Sequence, residues 1–182
     1  MNKGSICGWF GQQIAGAQAA VLAQGWPRRA ITVFYLLGPF FMLIERSPAD
    51  AWLSLCGLAF IGRCIYRKDW GWTRHFWVRA VFVFWLWCLI SAALSTLPGY
   101  SLGEAAVWIR FPLFAFASAF WLARDPRILM AMLISMGAGM LIMSGILFAE
   151  FTIIGQRGGR LSWPYGDLTP GNYLAKAGLP LF

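Results

Sequence analysis

From residue 30 onward the chain is a succession of apolar stretches separated by short polar or charged connections. The stretches run over 30–44, 51–66, 80–97, 105–123 and 128–149, and a sixth begins near Asn172. The fifth holds 22 residues without a charge. At about 20 residues per helical crossing, this pattern predicts an all-α, polytopic transmembrane helix bundle of five full spans plus the start of a sixth. The first two stretches are short for a crossing, so Arg28, Arg29 and Arg67 are expected to snorkel from their ends. The organisation expected is an N-terminal cytoplasmic or interfacial segment, 1–29, followed by one transmembrane domain, 30–182.

The connections alternate in charge. Segment 1–29 carries Lys3, Arg28 and Arg29; 67–79 carries Arg67, Lys68, Arg74 and Arg79; 124–127 carries Arg124 and Arg127. Between them, 45–50 sets Arg46 against two acids, 98–104 has no base, and 150–171 has only Arg157 and Arg160. The excess of Lys and Arg in cytoplasmic loops therefore places the N-terminus, 67–79 and 124–127 in the cytoplasm. The expected location is a membrane, crossed several times.

Composition strengthens this reading. Of 182 residues, 59% are hydrophobic and only 12% charged, about half the charged share of a soluble domain. A water-soluble fold of this size could not hide so much apolar surface, and a disordered or disulfide-stapled chain is excluded by the same figures. Most of the +8 net charge is absorbed by the basic connections, with Arg63 snorkelling near the end of its span. Stretch 4–27 is uncharged but diluted by glutamines and glycines, which suits an interfacial or loosely ordered segment better than a span. Trp26, Trp52, Trp70, Trp72, Trp77, Trp108 and Trp121 fall close to span ends, as interfacial anchors do. Ala131, Ser135 and Gly139 form a small-residue stripe suited to close helix packing.

Chemistry-bearing residues are few. Cys7, Cys56, Cys64 and Cys88 lack metal or redox spacing and read as apolar fillers. His75, the lone histidine, belongs to a basic loop and is expected to be solvated. No phosphate loop, dinucleotide glycine motif, zinc-helix motif or nucleophile elbow is present. The aromatic-rich basic loop 67–79 fits anionic membrane lipids rather than nucleic acid.

The informative charges are those that the cytoplasmic rule does not place. Arg110 lies about five residues into the fourth stretch, roughly 7.5 Å from its start, from where its guanidinium either snorkels outward or meets an anion. Arg157 and Arg160 lie three residues apart, with Cα atoms at most about 10 Å apart, so two guanidinium forks could share one diphosphate. Asn172 and Lys176 are one helical turn apart and face the same way at the start of the sixth stretch.

These residues carry a resemblance. Gly159-Arg160-Leu161-Ser162-Trp163-Pro164-Tyr165-Gly166-Asp167-Leu168-Thr169-Pro170-Gly171-Asn172-Tyr173-Leu174-Ala175 resembles the arginine, glycine-bearing stretch and Pro/Asn turn that precede a helix in bacterial O-antigen ligases and O-antigen polymerases. Arg110-Phe111-Pro112-Leu113 resembles the arginine near the outer start of an earlier span of that family. The resemblance covers residues 80–182. It implies transfer, at the outer face of the inner membrane, of a glycan carried on undecaprenyl diphosphate, without metal or nucleotide sugar. It also implies that Arg110 and Arg160, with Arg157, hold the diphosphate.

Two departures stand out. The family's Asn-Pro-Asn is here Thr169-Pro170-Gly171-Asn172, which leaves Asn172 as the match. The family also has about twice as many spans and a later outer loop bearing a catalytic histidine, so the chain reads as an N-terminal portion expected to lack transferase activity alone. Two other readings compete: a small transporter subunit binding an anion through Arg110 and Lys176, which calls for paired broken helices and inverted halves that the sequence does not show, and a non-catalytic membrane scaffold.

Overall fold

A computed structural model describes residues 6–44 and 46–154. Every regular element among them is helical: α1 (Ile6–Leu22), α2 (Trp26–Leu36), α3 (Gly38–Ile44), α4 (Arg46–Arg67), a 3-10 turn (Gly71–Arg74), α5 (Phe76–Ala93), α6 (Pro98–Val107), α7 (Arg110–Ala117), a π-helical turn (Ser118–Leu122), α8 (Pro126–Ala149) and a second π-helical turn (Glu150–Ile154). Four stretches are long and apolar enough to cross a membrane: Ser47–Arg67, Phe76–Ala93, Pro98–Leu122 and Pro126–Ile153. They correspond to the second to fifth predicted stretches. The first predicted stretch, 30–44, is divided between α2 and α3. The sixth lies outside the described residues.

The described residues form two compact units, one of 6–52 with 125–154 and one of 53–124. In the first, α8 is the axis. Asp125 caps its N-terminus by accepting from the Arg127 N–H at 2.9 Å, with Pro126 at the first helical position. Its buried residues Ile128, Met132, Gly139 and Met143 fall at steps of four and seven, the repeat of a single packing face. Met143 is enclosed by Met42, Leu43, Met140 and Leu147. Of the small-residue stripe, Gly139 is buried and Ala131 and Ser135 are half-buried.

Stretch 4–27, read as interfacial or loosely ordered, is helical over Ile6–Leu22. Ala17 and Val21, one turn apart, are buried, and α1 packs on α8. Arg29, expected to snorkel, instead turns back on the chain: its guanidinium donates to the Leu22 carbonyl at the C-terminus of α1. A cation there satisfies an orphan acceptor and complements the helix dipole.

The break between α2 and α3 follows from Gly38-Pro39, a pair that weakens helical propagation and removes a donor. In a continuous helix the Phe34 carbonyl would accept from the Gly38 N–H; here it accepts from Trp52 Nε1 at 3.0 Å. The indole stacks on Tyr35, with ring centroids 6.3 Å apart, and occupies the space beside Gly38, where a Cβ would stand 1.9 Å from it. Glycine is required there by this close approach.

In the second unit the core is aromatic. Trp72, carried by the 3-10 turn, packs on Phe60, Phe82, Phe116 and Phe120 with centroids 5.2 to 6.3 Å apart. Gly57 lets α4 approach α7, since a Cβ would lie 3.0 Å from Leu113 Cβ. The tryptophans thus divide. Trp52, Trp72 and Trp121 are buried within their units, and only Trp26, Trp70, Trp77 and Trp108 of the expected anchors are exposed. Cys56 and Cys64 are buried free thiols, as apolar fillers would be.

α4 ends in a Schellman turn. The Asp69 N–H donates to the Cys64 carbonyl at 3.1 Å and the Lys68 N–H to Ile65 at 3.4 Å, with Lys68 at φ 53°. Lysine at this left-handed position carries strain that glycine does not. Lys68→Gly is therefore expected to stabilise the protein by about 1 kcal/mol, read as a higher midpoint of thermal unfolding in detergent; a lowered midpoint would refute the strain.

Candidate functional site

Arg110 is the one sequence-predicted site residue among those described; Arg157, Arg160, Asn172 and Lys176 lie outside the described residues. Its surroundings arise from a local conflict in the chain. The apolar stretch Pro98–Leu122 is interrupted at Trp108-Ile109, immediately before Arg110. Pro112 supplies the cause, because it has no N–H to offer the Trp108 carbonyl four residues back and its ring crowds that oxygen. The Trp108 carbonyl accepts instead from Phe111 at 3.1 Å, and the Ile109 N–H donates to Ala106 at 3.3 Å. Regular four-residue bonding resumes with Leu113 to Ile109 at 3.0 Å.

Shortening the bond from Ile109 leaves the Ala105 carbonyl without its helical donor. Trp85 of α5 supplies one, donating from Nε1 at 2.9 Å. This is the arrangement already seen between Trp52 and Phe34, built in a different unit from different helices. Aromatic contacts brace the interruption: Phe84 meets Trp108 edge-on at 5.8 Å, and Trp108 meets Phe111 at 6.4 Å.

The interruption also moves Arg110 relative to the sequence expectation. Segment 98–104, expected to be a connection, begins α6 with Pro98 at its N-terminus. Measured from Pro98, Arg110 lies about 18 Å along the stretch rather than about 7.5 Å, and equally far from Leu122. The side chain is half-buried, its Nε is buried, and its guanidinium lies 5.0 Å from the centre of the Phe111 ring. Cation–π contact of this kind offsets part of the lost hydration. The arrangement presents a permanent cation at mid-helix, beside locally irregular backbone, and is suited to holding an anion with directional N–H donors.

A second ionisable residue escaped the sequence reading. Glu150 was expected to open an outer loop, but the helix continues through it and its residue is only 2% exposed. The signal was in the register: Glu150 falls seven residues after Met143 on the repeat of Ile128, Met132, Gly139 and Met143, and Phe151 and Ile153 prolong the apolar run. A buried carboxyl in a helix of this composition is a functional candidate in its own right. His75 is exposed as expected, with its ring 5.0 Å from that of Phe120. Among the described residues no cluster of His, Cys, Asp or Glu could hold a metal ion. Compared with protein families, curated proteins and solved structures, the chain matches none.

Two measurements test this geometry. Trp85→Phe keeps an aromatic ring and removes the donor, and is expected to cost about 1 kcal/mol, the net value of one part-buried hydrogen bond; unchanged thermal stability would mean that Ala105 is satisfied otherwise. Arg110→Leu is expected to favour membrane insertion of segment 98–122 by about 3 kcal/mol in a glycosylation-mapping assay. A change below about 1 kcal/mol would put Arg110 at the interface.

Proposed function

We propose that this chain handles undecaprenyl-diphosphate-linked glycan at the extracytoplasmic face of the bacterial inner membrane, in the manner of the O-antigen ligases and polymerases that it resembles. The reading includes a cytoplasmic N-terminus, five full spans with α2 and α3 forming the first, and the start of a sixth. It is supported by a polytopic, apolar, all-helical architecture and rests most on one observation: Arg110 stands at a backbone interruption midway along an apolar helix. A cation is costly in that position, and an anionic ligand is one group that offsets the cost.

In this reading Arg110, Arg160 and Arg157 bind the diphosphate, and Asn172 and Lys176 flank it. Fixed guanidinium groups stabilise the negative charge that builds on the leaving diphosphate as the glycan is transferred. The depth of Arg110 adds a requirement: the diphosphate is drawn into the helix bundle rather than held at the bilayer surface.

A second reading, an anion transporter, gains from the same interruption, because discontinuous helices form the binding sites of many transporters. The two are separated by binding and flux. Purified protein is expected to bind undecaprenyl diphosphate, and Arg110→Ala combined with Arg160→Ala to weaken that binding about a hundredfold, the value of two lost charge-assisted contacts. Arg110→Lys, which keeps the charge but loses the fork, is expected to fall between. Binding that survives the double substitution would sink the assignment. Anion uptake into protein-bearing vesicles without diphosphate-lipid binding would favour the transporter.

A further inference from the structure

The second unit has one strongly basic end that the glycan reading does not use. α4 finishes at Arg67, α5 starts at Phe76, and the chain between them carries Lys68 and the 3-10 turn ending at Arg74. The Ser118–Leu122 turn finishes at the same end: Trp121 lies 5.7 Å from the Arg63 guanidinium, and Phe120 packs on His75 and Trp77, the latter at 5.4 Å and nearly parallel. Arg63, Arg67, Lys68, Arg74, Arg79 and Arg124 therefore gather where three apolar stretches terminate, and the acids beside them in the chain are Asp69 and Asp125, the latter engaged as the cap of α8. Asp69 pairs with Arg63 at 3.5 Å. Arg79 is held by its own loop, donating from Nε to the Thr73 carbonyl at 3.3 Å. Arg67, Lys68 and Arg74 are exposed, and Lys68 is held outward by its left-handed turn.

Apolar rings stand among these cations. Tyr66 is 89% exposed and Phe76 86%, with Trp70 and Trp77 also exposed. A soluble anion gives no reason to leave such rings uncovered, whereas a bilayer interface covers both groups at once: the rings enter the boundary between headgroups and chains, and the cations meet phosphate. We propose that this end of the second unit is a binding surface for anionic phospholipid, with Arg67, Lys68 and Arg74 on the phosphate and Tyr66 and Phe76 against the acyl chains. The surface stands independently of the diphosphate site, since none of these residues belongs to it.

The test is binding of fluorescent dioleoylphosphatidylglycerol to the full chain in a non-ionic detergent, with the matching phosphatidylcholine and inorganic phosphate as competitors. Each cation near an anionic surface contributes about fivefold in affinity, so Arg67→Gln, Lys68→Gln and Arg74→Gln together are expected to weaken binding about a hundredfold. Arg67→Lys with Arg74→Lys is expected to retain it, and Tyr66→Ala with Phe76→Ala to weaken it with all charges present. Undiminished binding by the triple variant, equal competition by phosphatidylcholine, or displacement by millimolar inorganic phosphate would each overturn the proposal. A triple variant that no longer elutes as the wild type does would shift the decision to the charge-conserving and aromatic variants, whose outcomes bear on the same claim.

Discussion

A helix interrupted inside an apolar environment leaves backbone carbonyls that no water can reach, and each must find a donor elsewhere. Much of this structure follows from that constraint. At the α2–α3 break the donor is the Trp52 indole and at the α6–α7 break it is Trp85. Indole suits the task because it offers one N–H on a large apolar body, so it meets the acceptor without importing a second polar group. The interruptions are in turn dictated by sequence: Gly38-Pro39 in one case and Pro112 in the other. Arg110 inherits its position from the second of these, standing directly beyond the irregular turn.

What was legible in the sequence, and what was not, divides along the same line. Apolar periodicity and length located the four long apolar helices, because burying hydrophobic surface is an additive property of composition. Breaks within a run are decided by single residues whose effect on the backbone is local, and Gly38-Pro39 and Pro112 are hidden in a hydropathy profile because both flanks are apolar. The tryptophans were legible as polar-tipped aromatics near helix ends. Whether an indole points to the interface or inward to a carbonyl depends on which neighbour it faces. Trp70 and Trp77 remain exposed, while Trp52 serves the backbone and Trp72 anchors an aromatic core.

The candidate site was legible as a residue but not as an environment. A cation in an apolar run is conspicuous, so Arg110 was found; its distance from the helix start was misjudged because 98–104, rich in glycine and hydroxyl residues, does not look helical. Pro98 at the first helical position starts α6 earlier than hydropathy alone indicates. Glu150 was lost for the opposite reason. A carboxylate ends an apolar run by any hydropathy rule, and only the four-and-seven repeat of α8 keeps it on the packed face.

The two indole caps have unequal consequences for biogenesis. Trp85 precedes the α6–α7 break in the chain, so its donor has already been synthesised when the Ala105 carbonyl emerges from the ribosome. Trp52 follows the α2–α3 break, so the Phe34 carbonyl must wait, hydrated or otherwise occupied, until α4 arrives. The N-terminal break thus cannot settle into its packed form before α4 is made. Its folding is tied to that of α4, and the two must mature together rather than one helix at a time.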